Sequence, residues 1–481
     1  MASFRPAVMK FGGTSLADAS AFVRVADLIA GRLELRPVVV VSAMSGMTDA
    51  LVAGVRSAAE GNSDAAMSSL KSPLARHTAV ARKLLGSQAQ IELAIQFESA
   101  ALEVARLFEL VKQDSRLRSA LRDEILAYGE RLSSALLAAV LCARGVTANV
   151  IDSRRCIVTD EEHGCASPVM KETSERTRTE LAGLVESSRV PVLGGFIGAT
   201  LDGKTTTLGR GGSDYTAALV GAALSAREIQ IWTDVSGVLT ADPRVVPNAT
   251  SIPRLSYAEA AELAYFGAKV LHPKTIQPAI EAGIPLRICN SRAPEEPGTV
   301  VAAEREAAAH TIKAIAHKTG ITTLQISSAR MLGAYGFLRA LFEIFDRHRT
   351  VVDVVTTSEV SVSVSLEDIT ALPAIVADLE GLGSVQVEGA RAIVCIVGEG
   401  LRGTPGIAAR VFSTISDINV MLISQGSSSI NLTFVVEEER VGEAVRRLHE
   451  ALLSAVTTVN EVPEVRSLTP LLDQTTRMAS A

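Results

Sequence analysis

Two glycine-rich segments carry residue types suited to handling phosphate. The first is Lys10-Phe11-Gly12-Gly13-Thr14-Ser15. Paired glycines let a backbone approach a ligand closely, and the free N–H groups of a helix start attract phosphate oxygens. A lysine at the same place can neutralise charge on a transferring phosphoryl group. Alone, a Gly-Gly turn after a strand is most often only a turn. The second segment is Thr205-Thr206-Thr207-Leu208-Gly209-Arg210-Gly211-Gly212-Ser213-Asp214. Its glycines around Arg210 form another anion-binding concavity, and the guanidinium can grip a carboxylate in a bidentate pair. The plainer reading is an N-capped helix, with Ser213 as cap and Asp214 complementing the dipole. Two such loops in one chain favour phosphate chemistry. A third stretch, Gly198–Thr205, fits the P-loop pattern GxxxxGK[ST]. The chain continues from Thr205 with β-branched residues and then glycines, which predicts a hairpin rather than the helix a P-loop requires.

The elements that must position these loops are short. Residues 7–11 read as a strand that breaks at Gly12–Gly13 into a helix from Ser15, and Val38–Val41 reads as a strand buried on both faces. From Ala65 to Ala143 the pattern is helical, closing at Gly145 as C′ residue. Strand-like runs return at Thr147–Ile151, Val190–Phe196, Glu228–Trp232 and Pro285–Cys289. Helical patterns lie between, at Thr173–Ser187, Ser213–Ala226 and Ser256–Ala264. This alternation predicts an α/β domain whose mostly parallel sheet is covered on both faces.

Arg292–Ala309, Pro- and Glu-rich and then Ala-rich, reads as a linker. Beyond it, Gly336–Leu366 aligns without gaps on Gly406–Val436 at an offset of 70 residues. Each copy reads helix, strand, turn, strand, with further helices near Leu372–Leu382 and Val441–Leu453. Thr404 as N-cap with Pro405 at N1 predicts the helix start of the second copy. Units of about 70 residues with exposed sheet edges are expected to pair.

Composition narrows the function classes. The chain has 481 residues, 47% hydrophobic and 21% charged, with 47 basic and 53 acidic side chains and a formal charge of −6. That suits a folded protein of roughly three domains and speaks against a nucleic-acid or anionic-membrane surface. Apolar runs such as Ala135–Cys142 are shorter than the roughly 18 residues of a membrane span, and Met1–Phe11 lacks a signal-peptide core. Five scattered cysteines without CxxC spacing suit a reducing cytoplasm, and seven histidines without HExxH spacing predict no dedicated metal site.

Longer motifs resemble a family. KFGGTS at Lys10–Ser15, VSAMSGMTD at Val41–Asp49, YGERLS at Tyr128–Ser133, TTTLGRGGSDYTA at Thr205–Ala217, WTDVSGVLTADPR at Trp232–Arg244 and FGAKVLHPKT at Phe266–Thr275 together resemble the aspartate kinases. The resemblance implies an α/β amino-acid kinase fold followed by two ferredoxin-like βαββαβ ACT domains. It places the catalytic domain at 1–295, a linker at 296–311, ACT domains at 312–389 and 390–468 whose terminal strands are open to exchange, and a tail at 469–481. It implies transfer of the ATP γ-phosphate to the β-carboxylate of L-aspartate with Mg²⁺. A glutamate or acetylglutamate kinase, or an inactive amino-acid sensor, is the alternative. No dinucleotide fingerprint occurs after residue 470, so a fused homoserine dehydrogenase is not expected.

By motif position, Lys10 would contact the transferring phosphoryl group, with Phe11, Gly12 and Gly13 alongside the nucleotide. Arg210 would clasp the aspartate α-carboxylate and Glu130 its α-amino group. Thr48, Phe196 and Ser213 would complete that pocket, and Asp214 would orient the phosphate-binding lysines or the Mg²⁺ shell. Thr233, Asp234, Leu239, Arg244, Lys269 and Val270 would lie around the nucleotide. Leu239 stands where the family often has an aromatic residue. Feedback by an amino acid, lysine in preference to threonine, would use Met331, Gly336, Phe337, Leu338, Val352, Asp353, Thr357, Ser358 and Glu359. The effector would sit between ACT domains of two subunits of a cytoplasmic homodimer or larger homo-oligomer. Read bare, Glu130 is a solvated helix carboxylate, Lys269 an exposed lysine, and Asp353 and Glu359 solvated turn residues.

Overall fold

The structure, a computed structural model, describes residues 5–267, 273–303, 312–332, 335–425 and 428–453. Strand β1 (Ala7–Phe11) leads through a single 3₁₀ turn at Gly13–Leu16 to helix α1 (Ala19–Ala30). The helix expected from Ser15 starts later because the Asp18 carboxylate accepts the Ala21 N–H and so caps it there. Strand β2 (Val38–Val41) precedes four helices, α2 (Met47–Ala59), α3 (Ser63–Leu84), α4 (Ser87–Gln113) and α5 (Arg118–Ala143). Gly145, past the last of them, takes φ +83° as a C′ residue does. Strand β3 (Ala148–Ile151), helix α6 (Met170–Glu186) and strand β4 (Val190–Gly194) come next. Strands β5 (Ile197–Ala199) and β6 (Thr205–Thr207) pair antiparallel, so the P-loop-like stretch is a hairpin. Helix α7 (Gly212–Ala223), strands β7 (Glu228–Thr233) and β8 (Arg254–Ser256), helices α8 (Tyr257–Tyr265) and α9 (Pro273–Glu281), and strands β9 (Leu286–Asn290) and β10 (Thr299–Ala302) complete this half.

Eight strands make one sheet in the order β3-β4-β2-β1-β7-β9-β10-β8. Every pair is parallel except β9–β10. Alternation along a strand explains the unbroken apolar runs. Val39 and Val41 enter the core with α1–α5, while Val38 and Val40 enter the core with α6–α9. Residues 299–302 lie inside the segment expected to be a linker. They form a strand because Thr299 donates its hydroxyl hydrogen to the Ile252 carbonyl and Val301 is fully buried. Ser115–Ala143, including α5, is long and apolar enough to cross a membrane, but 78% of its apolar window is buried inside the protein.

The second half holds strand β11 (Ala314–Ser327), helix α10 (Phe337–Arg347), strands β12 (Val355–Thr357) and β13 (Ser361–Leu366), helix α11 (Leu372–Glu380) and strand β14 (Ser384–Val397). Helix α12 (Ile407–Thr414), strands β15 (Leu422–Gln425) and β16 (Asn431–Glu437) and helix α13 (Glu438–Leu452) close it. Gly336 and Gly406 cap α10 and α12 with φ +82° and +83°, matching the 70-residue offset. Gly406, not Thr404, is therefore the N-cap of the second copy: the Thr404 hydroxyl donates to the Gly400 carbonyl and closes the preceding turn.

Strands β11 and β14 pair antiparallel over most of their 14 residues. Thr322–Ser327 pairs with β13, which in turn pairs with β12, whereas Ala314–Lys318 lies beside the part of β14 that pairs with β16. The two units are thus nested. Residues 321–388 sit within a unit built from 312–318 and 391–453, where the sequence reading set a boundary at 389/390 and allowed for exchanged strands. Residues 304–311 and 454–481 of the expected linker, second unit and tail lie outside the described residues.

The halves are tied by charge where they meet. Glu259, fully buried, completes a capping box with Ser256 at the start of α8 and takes Lys313 Nζ at 2.8 Å. Removing one partner of a buried pair strands the other charge, at a cost of roughly 3–5 kcal/mol. Lys313→Met should lower the first calorimetric unfolding transition, and an unchanged transition would show that the pair does not hold the halves together.

Candidate active site

Strand alternation turns Lys10 toward the α7 face of the sheet, opposite to Met9 and Phe11. There Nζ lies 2.6 Å from Asp214 Oδ1 in the first turn of α7, with the two side chains only 12% and 14% exposed. The Gly12 N–H continues the ladder to the Trp232 carbonyl, 3.2 Å away. A Cβ on Gly13 would sit 2.9 Å from the Ala43 carbonyl oxygen, so the loop after β2 can approach only a glycine. The two glycine loops of the sequence are thus side by side, joined by an ion pair.

Glu130 comes from the middle of α5 and is buried. Gly194 makes room for it, since a Cβ there would lie 2.9 Å from Glu130 Cβ. Burial pushes its carboxyl up to about 8, and the Ala43 and Glu130 backbone N–H groups only partly oppose this. Among the described residues its Oε2 has no hydrogen-bond partner. Phe196 holds a left-handed backbone, φ +69°, fixed by its N–H donating to Thr216 Oγ1 at 3.0 Å. Ser213 is packed so closely on Gly195 that a Cβ there would meet Ser213 Cβ at 2.6 Å. Lys10, Thr48, Glu130, Phe196, Ser213 and Asp214 line one cavity of about 280 Å³. Arg210 is exposed, on the loop between Gly209 and Gly211 at φ +75° and +74°, and does not line it.

Thr233 and Asp234 lie at the C-terminal end of β7, where the Thr233 hydroxyl donates to Asp234. Ser291 donates to the Thr233 carbonyl and shares a 2.9 Å hydrogen bond with Ser15, which ties the first loop to β7 and β9. Leu239 and Arg244 line a second cavity of about 270 Å³, largely apolar, where Arg244 pairs with Asp242 at 2.6 Å. The Phe11 ring stacks on Trp232 in the core, so it offers a ligand its backbone only. Lys269 and Val270 lie outside the described residues.

In the second half, Met331, Phe337 and Val352 pack partly buried on the core of the first unit, and Leu338 is exposed. Thr357 ends β12, and Ser358 and Glu359 occupy the exposed turn that follows, closed by a 2.7 Å Ser358–Ser361 hydrogen bond. Asp353 is not a solvated turn residue. Its side chain is 5% exposed, and Oδ1 receives Lys318 Nζ at 3.0 Å and the Tyr265 hydroxyl at 2.8 Å.

Two contributions were not anticipated. Fully buried Asp123 accepts the Gly164 and Thr207 N–H groups and the Thr207 hydroxyl, anchoring the hairpin that carries the second glycine loop. An acidic residue two turns before Glu130 in an apolar helix was the available signal. Ile315, Ala316 and His317 of β11 line the 270 Å³ cavity, and no local pattern could have shown that.

A mostly parallel sheet with an ion-paired lysine at its central strand, followed by two nested α/β units, defines a class. The amino acid kinase family matches residues 5–290 and an ACT domain matches residues 394–452, so the chain belongs to the amino acid kinase family. Lysine-sensitive aspartokinase 3 of Escherichia coli is 36% identical over 459 residues, covering 92% of this chain and 98% of that one. The crystal structure of E. coli aspartokinase III in complex with aspartate and ADP (R-state) superposes with a TM-score of 0.82 at 35% identity, covering 93% and 99% of the two chains. The T-state structure of that enzyme with lysine and aspartate gives 0.77 at 36% identity over the same shares. Within the family the chain is thus one of the aspartokinases, ATP-dependent kinases of aspartate.

Glu130 supplies a direct test. Its folded pKa lies above the ordinary 4.5, so the stability cost of burying it grows as pH rises from about 4.5 to 8. Glu130→Gln should therefore melt higher than wild type at pH 8 without ligand, with the gap closing near pH 4.5. The same variant should raise the aspartate KM about 10²-fold and leave the ATP KM unchanged. An unaltered aspartate KM would show that Glu130 makes no contact with aspartate.

Proposed function

We propose that the 280 Å³ cavity holds L-aspartate with its β-carboxylate facing Lys10, and that the γ-phosphoryl group of ATP arrives along the first glycine loop. The observation that carries this reading is the Lys10–Asp214 pair facing the buried Glu130 carboxyl in one cavity. A carboxylate is already a nucleophile, so the chain must hold two anions in line and neutralise the charge between them. Lys10 does the neutralising, Asp214 orients it, and Gly12 and Gly13 offer N–H donors. Glu130 takes the substrate ammonium, which restores the charge that burial suppresses. Thr48, Phe196 and Ser213 shape the pocket. Arg210 swings in on its two left-handed glycines to grip the α-carboxylate. Thr233, Asp234 and Arg244, with Lys269 and Val270, surround the nucleotide.

Magnesium fits the donor set in one way. No group of three His, Cys, Asp or Glu side chains is clustered among the described residues, and a nucleotide-borne Mg²⁺ would have the Asp214 carboxylate, beside Lys10, available to it. Bound there, it would add positive charge beside the transferring group. Lys10→Ala should lower kcat by about 10² or more in an assay that traps the acyl phosphate with hydroxylamine. Activity within a few-fold of wild type would exclude Lys10 from the reaction.

Feedback by lysine through the first regulatory unit, in a cytoplasmic homodimer or larger homo-oligomer, completes the proposal. A T-state E. coli relative bound to lysine supports the choice of effector. An effector shifts the enzyme only by binding one state better than another. Activity titrated separately against lysine and threonine should fall with lysine. Inhibition by threonine alone would refute the assignment.

A further inference from the structure

The 270 Å³ cavity is built by both halves of the molecule. Leu239 and Leu263 form apolar walls from the kinase half, and Ile315, Ala316 and His317 close it from β11 of the regulatory half. Its lining suits a flat heteroaromatic ring rather than a phosphate, with Asp242, Arg244 and His317 as polar groups. His317 is half-buried. Burial holds its imidazole below the ordinary range, with Asp242 opposing that and Arg244 reinforcing it, so at neutral pH the ring offers one donor and one acceptor.

The strand is gripped on both sides of this residue. A Cβ on Gly267 would lie 2.3 Å from the His317 carbonyl oxygen, so the turn just after α8 packs directly on β11 at this point. The next residue, Lys318, binds Asp353 Oδ1 at 3.0 Å, and Tyr265, two residues before Gly267, donates to the same oxygen at 2.8 Å. Lys318 Nζ also lies 5.1 Å from the Tyr265 ring centroid and 2.8 Å from Glu367. The two residues that meet on Asp353 therefore flank the two cavity residues His317 and Gly267.

We propose that His317 of the regulatory half is a nucleoside-contacting residue of the ATP site, and that the Tyr265–Asp353–Lys318 clasp is the positioning device that holds it there. This rests on reading the 270 Å³ cavity as the nucleotide pocket. His317 hydrogen-bonds the base or ribose and touches no transferring group. The clasp acts on the nucleotide only by fixing where β11 runs.

The test uses the full chain, with ADP affinity measured by calorimetry and KM values by steady-state kinetics. A hydrogen bond to a neutral partner corresponds to roughly three- to tenfold in affinity. His317→Ala should weaken ADP and raise the ATP KM by that factor, with the aspartate KM and the melting temperature unchanged. His317→Asn, which keeps a donor and an acceptor, should recover part of the loss. Tyr265→Phe, which removes only the clasp hydroxyl, should weaken ADP in the same direction. Unchanged ADP affinity in His317→Ala overturns the contact, and unchanged affinity in Tyr265→Phe overturns the clasp. Leu239→Asp separates this inference from the reading beneath it. If a carboxylate placed in the cavity leaves ADP binding intact, the cavity is not the nucleotide pocket. If it abolishes binding while His317→Ala changes nothing, the pocket stands and the inference fails.

Discussion

The ion pair between Lys10 and Asp214 is the constraint around which the kinase half is arranged. Two opposite charges 2.6 Å apart and little exposed carry a desolvation cost, offset by their attraction and by the positive end of α7 beneath Asp214. Holding them requires the end of β1 and the start of α7 to meet. That in turn requires glycine at 13, where the loop after β2 crowds in, and at 195, where Ser213 does. The same convergence encloses Glu130, where burial raises the carboxyl pKa to about 8. The cavity is thus lined by one satisfied charge pair and one buried carboxyl whose Oε2 finds no partner among the described residues.

The regulatory half shares its framework with the catalytic half. Ala241 and Val246, from the loop after β7, belong to the same apolar core as Leu401, Val411 and Leu448 of the second unit. Thr240 bonds the buried His449, and its carbonyl accepts the Ile315 N–H at 2.8 Å. Strands β11 and β14 run through both nested units, and β11 is hydrogen-bonded to the loop that carries Leu239 and Arg244. Close-packed interfaces of this kind move between discrete arrangements rather than deforming smoothly.

Much of this architecture was legible in the residues. The strands of the central sheet appear as short valine-rich runs because both their faces are buried, and the hairpin at 197–207 arises from β-branched residues ahead of glycines. The repeat was legible because Gly336 and Gly406 must both take positive φ. Less was visible where burial depends on distant segments. Glu130 reads as a surface helix residue until Gly194 is placed against it, and Asp353 as a turn residue until Tyr265 and Lys318 reach it. The strand at 299–302 hides in a Pro- and Glu-rich stretch because its partners are 286–290 and 254–256.

Local chemistry by itself therefore determined the two glycine loops, the parallel sheet and the paired repeat, since glycine conformation and apolar periodicity act over a few residues. The tertiary structure alone decided that the regulatory units are nested, that Arg210 is exposed while Lys10 and Asp214 are joined, and that β11 walls the second cavity. These depend on which remote surfaces exclude water from a given charge or strand edge, and no window of sequence contains that partner.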